Sequence, residues 1–212
     1  MRREINVCII DDDEAIRDAL RLLLFAAGIS SHAYHSADQF MARESDLEFD
    51  CLLLDIRMPG MDGLELFQLL LRDKAPYPII FITGHGDIPL AVRAIKQGAY
   101  DFLTKPFKEG ELLDKVQSAV KYYREQREHK QHIQEISRRL TVCTPREKDV
   151  MRLMVKGLHN KDIAETLSIS PRTVEIHRAH VMEKMEAESL PALVHMMTLL
   201  SNFPDGASDD SA

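Results

Sequence analysis

The 212-residue chain has no tryptophan and only three cysteines. Cys8 and Cys51 lie inside apolar runs and Cys143 stands far from both, so packing thiols are expected, and neither a disulfide framework nor a cysteine metal site. No apolar run approaches the ~20 residues of a membrane span, and the N-terminus passes directly into a strand pattern, which predicts a cytoplasmic protein with no membrane partner. A basic balance is missing too: the formal net charge is -7, at first sight the wrong sign for a nucleic-acid partner. Divided along the chain, that objection fails. Residues 1–120 hold 13 Lys and Arg against 20 Asp and Glu, while residues 144–188 hold 8 against 8. The acidity belongs to the first segment, and a neutral second segment can still present a basic face if its charges segregate.

What is present is an ordinary globular composition, 45% hydrophobic and 29% charged, over a length that suits two domains of about 120 and 70 residues. The first segment is organised around CLLLDIRMPGMDG, Cys51 to Gly63. Cys51 to Leu54 do not alternate with polar residues, so they read as a strand buried on both faces, and Pro59, Gly60 and Gly63 end it. Asp55 is then left at the strand's C-terminal end. Three other apolar runs end in polar groups: Val7–Ile10 in Asp11, Asp12 and Asp13; Ile79–Ile82 in Thr83; Phe102 and Leu103 in Thr104 and Lys105. If the strands are parallel, these ends converge on one sheet edge, where open α/β folds bind ligands. Three carboxylates, a hydroxyl and an ammonium make a pocket for a divalent cation and a phosphoryl group, because clustered carboxylates need a hard cation to neutralise them.

Helical spacing connects these strands. Glu14–Ala27 carries Ile16, Leu20, Leu23 and Leu24 on one face before Gly28; Ser30–Tyr34 is a weak strand; Ala37–Arg43 follows Ser36 as N-cap; Leu64–Leu71 is a third helix; and a fourth opens at Asp87 and Pro89 and closes at Gly98. Alternating strands and helices predict a doubly wound, five-stranded parallel sheet.

The acidic pair Asp11 and Asp12, Asp55 in DIRMPGMDG, Thr83, and Lys105 followed by Pro106 resemble the receiver domains of two-component response regulators. The resemblance covers about residues 4–120, and the stretch ITGHGDIPLAVRAIKQGAYDFLTKPF is similar to the FixJ-type branch. It implies the flavodoxin-like strand order 2-1-3-4-5 and Asp55 as phosphoacceptor. It further implies Mg2+ (or Mn2+) on Asp12, Asp55 and the Arg57 carbonyl, with Asp11 acting through water. Thr83 and Lys105 would bind phosphoryl oxygens, and Phe102 would be an aromatic switch. Taken singly, each residue has a plainer reading: Asp13 as the cap of helix one, Lys105 as a surface lysine, Phe102 as core.

From Glu109 to Leu140 the pattern is continuous helix. Leu112, Leu113, Val116 and Val120 are core positions, but Arg124–His132 has no apolar residue and should be solvated, giving a stiff spacer or a flexible linker over residues 121–140. Glu135 and Arg139 form the favourable i,i+4 orientation; Lys121 with Glu125 and Arg124 with Glu128 form the weaker one.

The last segment, residues 141–201, opens on Thr144, Pro145 and Glu147, a capping box with proline at the first helical position. A short helix Lys161–Leu167, a turn, and a helix behind Ser170 and Pro171 give helix-turn-helix spacing over about Asn160–Ala179. TPREKDVMRLMVKGLHNKDIAETLSISPRTVEIHRAHVMEKM resembles the LuxR-type DNA-binding domain. Lys161, Arg172, Thr173, Glu175, Ile176, Arg178, Ala179 and Lys184 are the expected DNA-facing set, being complementary to the apolar positions. In Ser189–Leu200 the apolar residues exceed what packing one small domain requires, which points to dimerisation. Residues 202–212, rich in Gly, Ser and Asp, are expected to be a disordered tail.

The expectation is a DNA-binding transcription regulator activated when a sensor histidine kinase phosphorylates Asp55. It would dimerise, bind double-stranded promoter DNA and act on RNA polymerase, and it would be no enzyme beyond slow hydrolysis of its own phosphoryl group. The alternatives are a phosphorylation-gated protein-interaction module and a magnesium phosphatase with an aspartyl intermediate. The latter leaves the second half without a role.

Overall fold

The computed structural model describes residues 5–43, 47–75, 77–84 and 87–202, and the chain forms two compact units divided after Glu125. The expectation that falls on the tail from residue 203 lies outside the described residues.

In the first unit, β1 (Asn6–Ile10), β2 (Ser30–Tyr34), β3 (Cys51–Asp55), β4 (Ile79–Thr83) and β5 (Asp101–Thr104) form one all-parallel sheet in the order β2-β1-β3-β4-β5. Helices α1 (Glu14–Ala26), α2 (Ala37–Met41), α3 (Gly63–Arg72) and α4 (Ile88–Lys96) connect the strands. The unbroken apolar runs of β1, β3 and β4 are explained by burial on both faces. On one face Cys8, Ile10, Leu52, Leu54 and Phe81 pack with Leu66 and Phe67 of α3 and with Ala91 and Ala94 of α4. On the other, Val7, Ile9, Leu53, Ile80 and Ile82 pack with Leu20 and Leu24 of α1 and with Leu112 and Val116 of α5 (Glu109–Val142). Asp13 caps α1, accepting from the amides of Ala15 and Ile16. Asp62 and Glu65 form a capping box on α3.

Two local expectations are corrected, and one helix start gains an unforeseen partner. Helix α2 stops at Met41, short of Arg43; the Arg43 guanidinium turns back to donate to the Phe40 carbonyl at 2.8 Å and stacks on the Phe40 ring. Asp87 opens α4 as expected, but its carboxylate is held by Arg57 and makes no side-chain cap bond. Arg124 pairs with Asp50 at 2.9 Å and not with Glu128, since a half-buried partner across the fold outcompetes an exposed one along the helix.

Residues 125–132 of α5 are exposed, as their composition requires. Beyond them, Glu135 takes both Arg138 and Arg139.

The second unit contains α6 (Pro145–Val155), α7 (Asn160–Leu167), α8 (Pro171–Lys184) and α9 (Leu190–Asn202). Ile136, Val150, Met151, Met154, Ile163, Val174, Val181, Met185 and Leu193 form its core. Thr144 and Glu147 make the expected capping box. Ser170 caps α8, and Ser168 turns the chain between α7 and α8 with a left-handed φ of 54°. In α9 the apolar excess is smaller than expected: Leu190, Met197 and Leu200 pack against the unit's own core.

Glu147 fixes the angle between α6 and α8. Its side chain is only 4% exposed and accepts from Lys184 Nζ at 2.7 Å. Burial pushes its carboxyl up, but hydrogen bonds from Lys184 and from Thr144 outweigh burial and hold it at about 2. A depressed carboxyl stabilises the fold fully above its ordinary value of 4.5 and loses that contribution as pH falls towards 2. Glu147→Gln is therefore expected to cost about 2 kcal/mol at neutral pH and to flatten the acid limb of stability. Hydrogen-exchange protection of the α6 and α8 amides as a function of pH checks this. Identical acid limbs in variant and wild type would rule the pair out as the cause.

Candidate functional site

Four strands of the parallel sheet deliver the expected side chains to one edge. Register pairs Ile10 with Leu54, Asp55 with Ile82, and Thr83 with Thr104, so Asp11, Asp55, Thr83 and Lys105 all emerge at the strands' C-terminal ends. Asp11 and Thr83 are fully buried, Asp55 is 7% exposed, and Asp12 is open to solvent.

Carboxylate oxygens of Asp11, Asp12 and Asp55 lie within 4.8 Å of one another. Lys105 Nζ reaches between two of them, 2.8 Å from Asp11 Oδ2 and 3.4 Å from Asp55 Oδ1. Asp11 is fixed further by the amide of Asp13, which donates to its Oδ1 at 2.9 Å. Burial pushes the Asp55 carboxyl up to about 6; Lys105 opposes this, and Asp11 and Asp12 add to it. Burial works against the Lys105 charge, but hydrogen bonding to Asp11 and the charge of Asp55 prevail and raise it. One ammonium thus offsets only part of the repulsion among three acids. An all-oxygen donor set with surplus negative charge and one open member fits a hard divalent cation.

The Thr83 hydroxyl donates to the Gly84 carbonyl at 2.9 Å. Phe102 is half-buried against the core on the α3 and α4 face. The side chain of Arg57 leaves the pocket, donating from Nε to Asp87 Oδ1 at 2.8 Å, which leaves only its backbone for the expected role.

Two features were not foreseen as parts of the site. Gly63 was read only as a strand breaker, yet a Cβ there would lie 2.0 Å from the Asp55 carbonyl oxygen, so only glycine lets α3 start this close to the acid. Asp87 was read only as the start of the fourth helix, and its ion pair ties the loop after β3 to the start of α4. No periodicity or spacing signals a pair 30 residues apart.

The helix-turn-helix set divides into exposed and engaged members. Lys161, Arg172, Glu175, Ile176 and Ala179 are exposed, and Thr173 and Arg178 are half-buried. Arg172 pairs with Glu175 at 2.8 Å on the surface. The Thr173 amide donates to Ser170 Oγ at 3.0 Å, which ties it to the cap of α8. Lys184, also in the expected DNA-facing set, is partly exposed and pairs with buried Glu147, because an unpaired carboxylate in that interior would be costly.

Comparison with known proteins places both halves. Residues 7–117 match the response regulator receiver domain, and residues 141–197 match the bacterial regulatory proteins of the luxR family. The chain is 43% identical over 191 residues to the transcriptional regulatory protein FixJ of Bradyrhizobium diazoefficiens, covering 90% of this chain and 93% of that one. It is 40% identical to the response regulator protein TodT of Pseudomonas putida, covering 92% and 86%. Among solved structures, the response regulator StyR superposes with a TM-score of 0.81 at 40% identity over 92% of this chain and 99% of that chain. Full-length FixJ from B. japonicum gives 0.60 at 42% identity over 93% and 97%. The chain belongs to the two-component response regulators that join a receiver domain to a luxR-family DNA-binding domain.

Proposed function

We propose that this protein is a transcription regulator switched on when Asp55 takes a phosphoryl group from the phosphohistidine of a sensor kinase. The single observation that supports this best is the meeting of Asp55 with Asp11, Asp12 and Lys105 at one sheet edge, in a chain that also carries a helix-turn-helix. With its carboxyl near 6, Asp55 is mostly ionised at neutral pH and acts as the nucleophile. Its oxygen bonds to phosphorus as the bond from phosphorus to the kinase's imidazole nitrogen breaks, and an acyl phosphate results. Asp12, Asp55 and the Arg57 carbonyl would hold Mg2+ (or Mn2+), with Asp11 acting through water; when bound, the ion neutralises charge on the carboxylates and the transferring group. Lys105 pairs with a phosphoryl oxygen. Thr83 gives up the Gly84 carbonyl and donates to another phosphoryl oxygen, and Phe102 follows into the space that Thr83 leaves.

Movement of Thr83 and β5 reaches α4, where Ile88 and Val92 stand exposed at i and i+4. Pairing of receivers over this face brings two DNA-binding units to two half-sites of promoter DNA, from which the dimer engages RNA polymerase. In this reading the work is done in the cytoplasm, the receiver hydrolyses only its own acyl phosphate, and the functional limits are residues 4–120, 121–140 and 141–201.

Acetyl phosphate with Mg2+ is expected to label Asp55 alone. Full labelling of Asp55→Asn would sink the assignment.

Sedimentation with a beryllofluoride phosphoryl mimic should convert a mainly monomeric protein to a dimer, and Val92→Glu should prevent it. An unchanged monomer mass on adding the mimic to wild type rejects the switch.

On DNA, Arg172→Ala should weaken specific and scrambled sites alike and reduce the salt dependence by roughly one unit of slope, as loss of a phosphate contact does. Arg178→Ala should cost about 1 to 3 kcal/mol on the specific site and relax preference at one base position. Binding isotherms at several salt concentrations separate the two. If both variants bind as wild type does, α8 is not in the groove.

A further inference from the structure

We propose that Glu147, His177 and His180 form a second cation site, for a borderline transition ion such as Zn2+, within the DNA-binding unit. One ligand atom from each of the three side chains lies within 4.8 Å of the others. Glu147 is on α6, and the two imidazoles are i,i+3 neighbours on α8, which brings them to adjoining parts of one helix surface.

The carboxylate is arranged so that one oxygen is free to act. Glu147 Oε2 accepts from Lys184 Nζ at 2.7 Å and from the Thr144 amide at 2.8 Å, while Oε1 faces His180 Nδ1 at 3.5 Å. Two donors on a tetrahedral zinc ion stand roughly 3.4 Å apart, given bonds of about 2.1 Å. The Glu147 and His180 atoms already have that spacing, and Lys184 and Thr144 are the outer partners that hold a ligating carboxylate in place.

His177 supplies an independent observation. Its Nδ1 is shut off from solvent and has no hydrogen-bond partner. A buried polar atom left unpaired costs free energy, and a bound ion whose ligand is this ring accounts for its placement.

Donor chemistry separates this site from the pocket at the sheet edge. Two imidazoles with one carboxylate select Zn2+, Ni2+ or Cu2+, with a fourth position left to water, whereas the three aspartates offer oxygen alone and suit Mg2+. The exposed ring of His180, 51% accessible, is the way in. The Lys184 ammonium repels the ion, which makes the site an exchangeable one. Loading ties α6 to α8 through a metal in addition to the ion pair.

The test uses the full-length protein, stripped with a chelator and titrated with Zn2+ by calorimetry and with Co2+ by visible absorption. His180→Gln removes a ligand from an exposed position, and Asp12→Asn disables the acidic pocket without touching α8. Wild type and Asp12→Asn are both expected to bind one equivalent that gives the visible bands of nitrogen-ligated Co2+, beside any ion that the acidic pocket of wild type takes up. In His180→Gln the Zn2+ affinity should fall about tenfold or more and the bands should fade, with circular dichroism unchanged. The proposal is overturned if wild type takes up no ion, if His180→Gln binds as wild type does, or if binding disappears in Asp12→Asn.

Discussion

The receiver half depends on an electrostatic conflict that its fold creates and only partly relieves. Parallel strands must all end on the same edge, so any acids at those ends are forced together. Here three are, and two of them are largely shut off from water. A single ammonium, 2.8 Å from Asp11 and 3.4 Å from Asp55, cannot balance three carboxylates in that setting. The residual strain is legible in Asp55, whose carboxyl stands near 6. Such a pocket is ready for positive charge and for a group that redistributes negative charge. Lys105 and Thr83 already sit at the site with other partners, so in the proposed switch a phosphoryl group on Asp55 would have to compete for both.

Much of this could be read from the chain alone, for a definite reason. Asp11, Asp55 and Thr83 each follow directly on an apolar run and Lys105 follows one after a single threonine, and a run without alternation means a strand buried on both faces. Once four such runs are taken as parallel, convergence follows from topology and not from any distance. Thr144, Pro145 and Glu147 were legible for a different reason: a helix end needs its amides satisfied within four residues, so the signal is local.

What stayed hidden was pairing between distant side chains. Arg57 with Asp87, Glu147 with Lys184 and Arg124 with Asp50 are separated by 30, 37 and 74 residues. A linear pattern carries no information on which of many charged residues will meet. One pair displaced a local expectation, Arg124 as a helix-surface partner of Glu128, and the other two gave Asp87 and Lys184 partners that no local rule supplies. The bias is systematic, because local rules are the ones a sequence displays, while a partly buried partner elsewhere in the fold wins the competition once the chain is folded.

The two units also differ in how charge is used. In the receiver, buried acid is concentrated where a ligand can answer it. In the DNA-binding unit, one buried acid is answered from within, by Lys184, and the surface basic groups Lys161 and Arg172 stay exposed. This division explains how a chain of net charge -7 can still address DNA: the excess negative charge lies in the segment that handles phosphoryl chemistry. The segment with helix-turn-helix geometry carries balanced charge, and one of its lysines pairs with a buried acid. Each unit has its own core, and residues 125–132 of the helix that runs from one to the other are all solvent-exposed. In the proposed reading dimerisation would carry the message: it would change the local concentration of one DNA-binding unit relative to the other, and that alone would shift occupancy of a paired site.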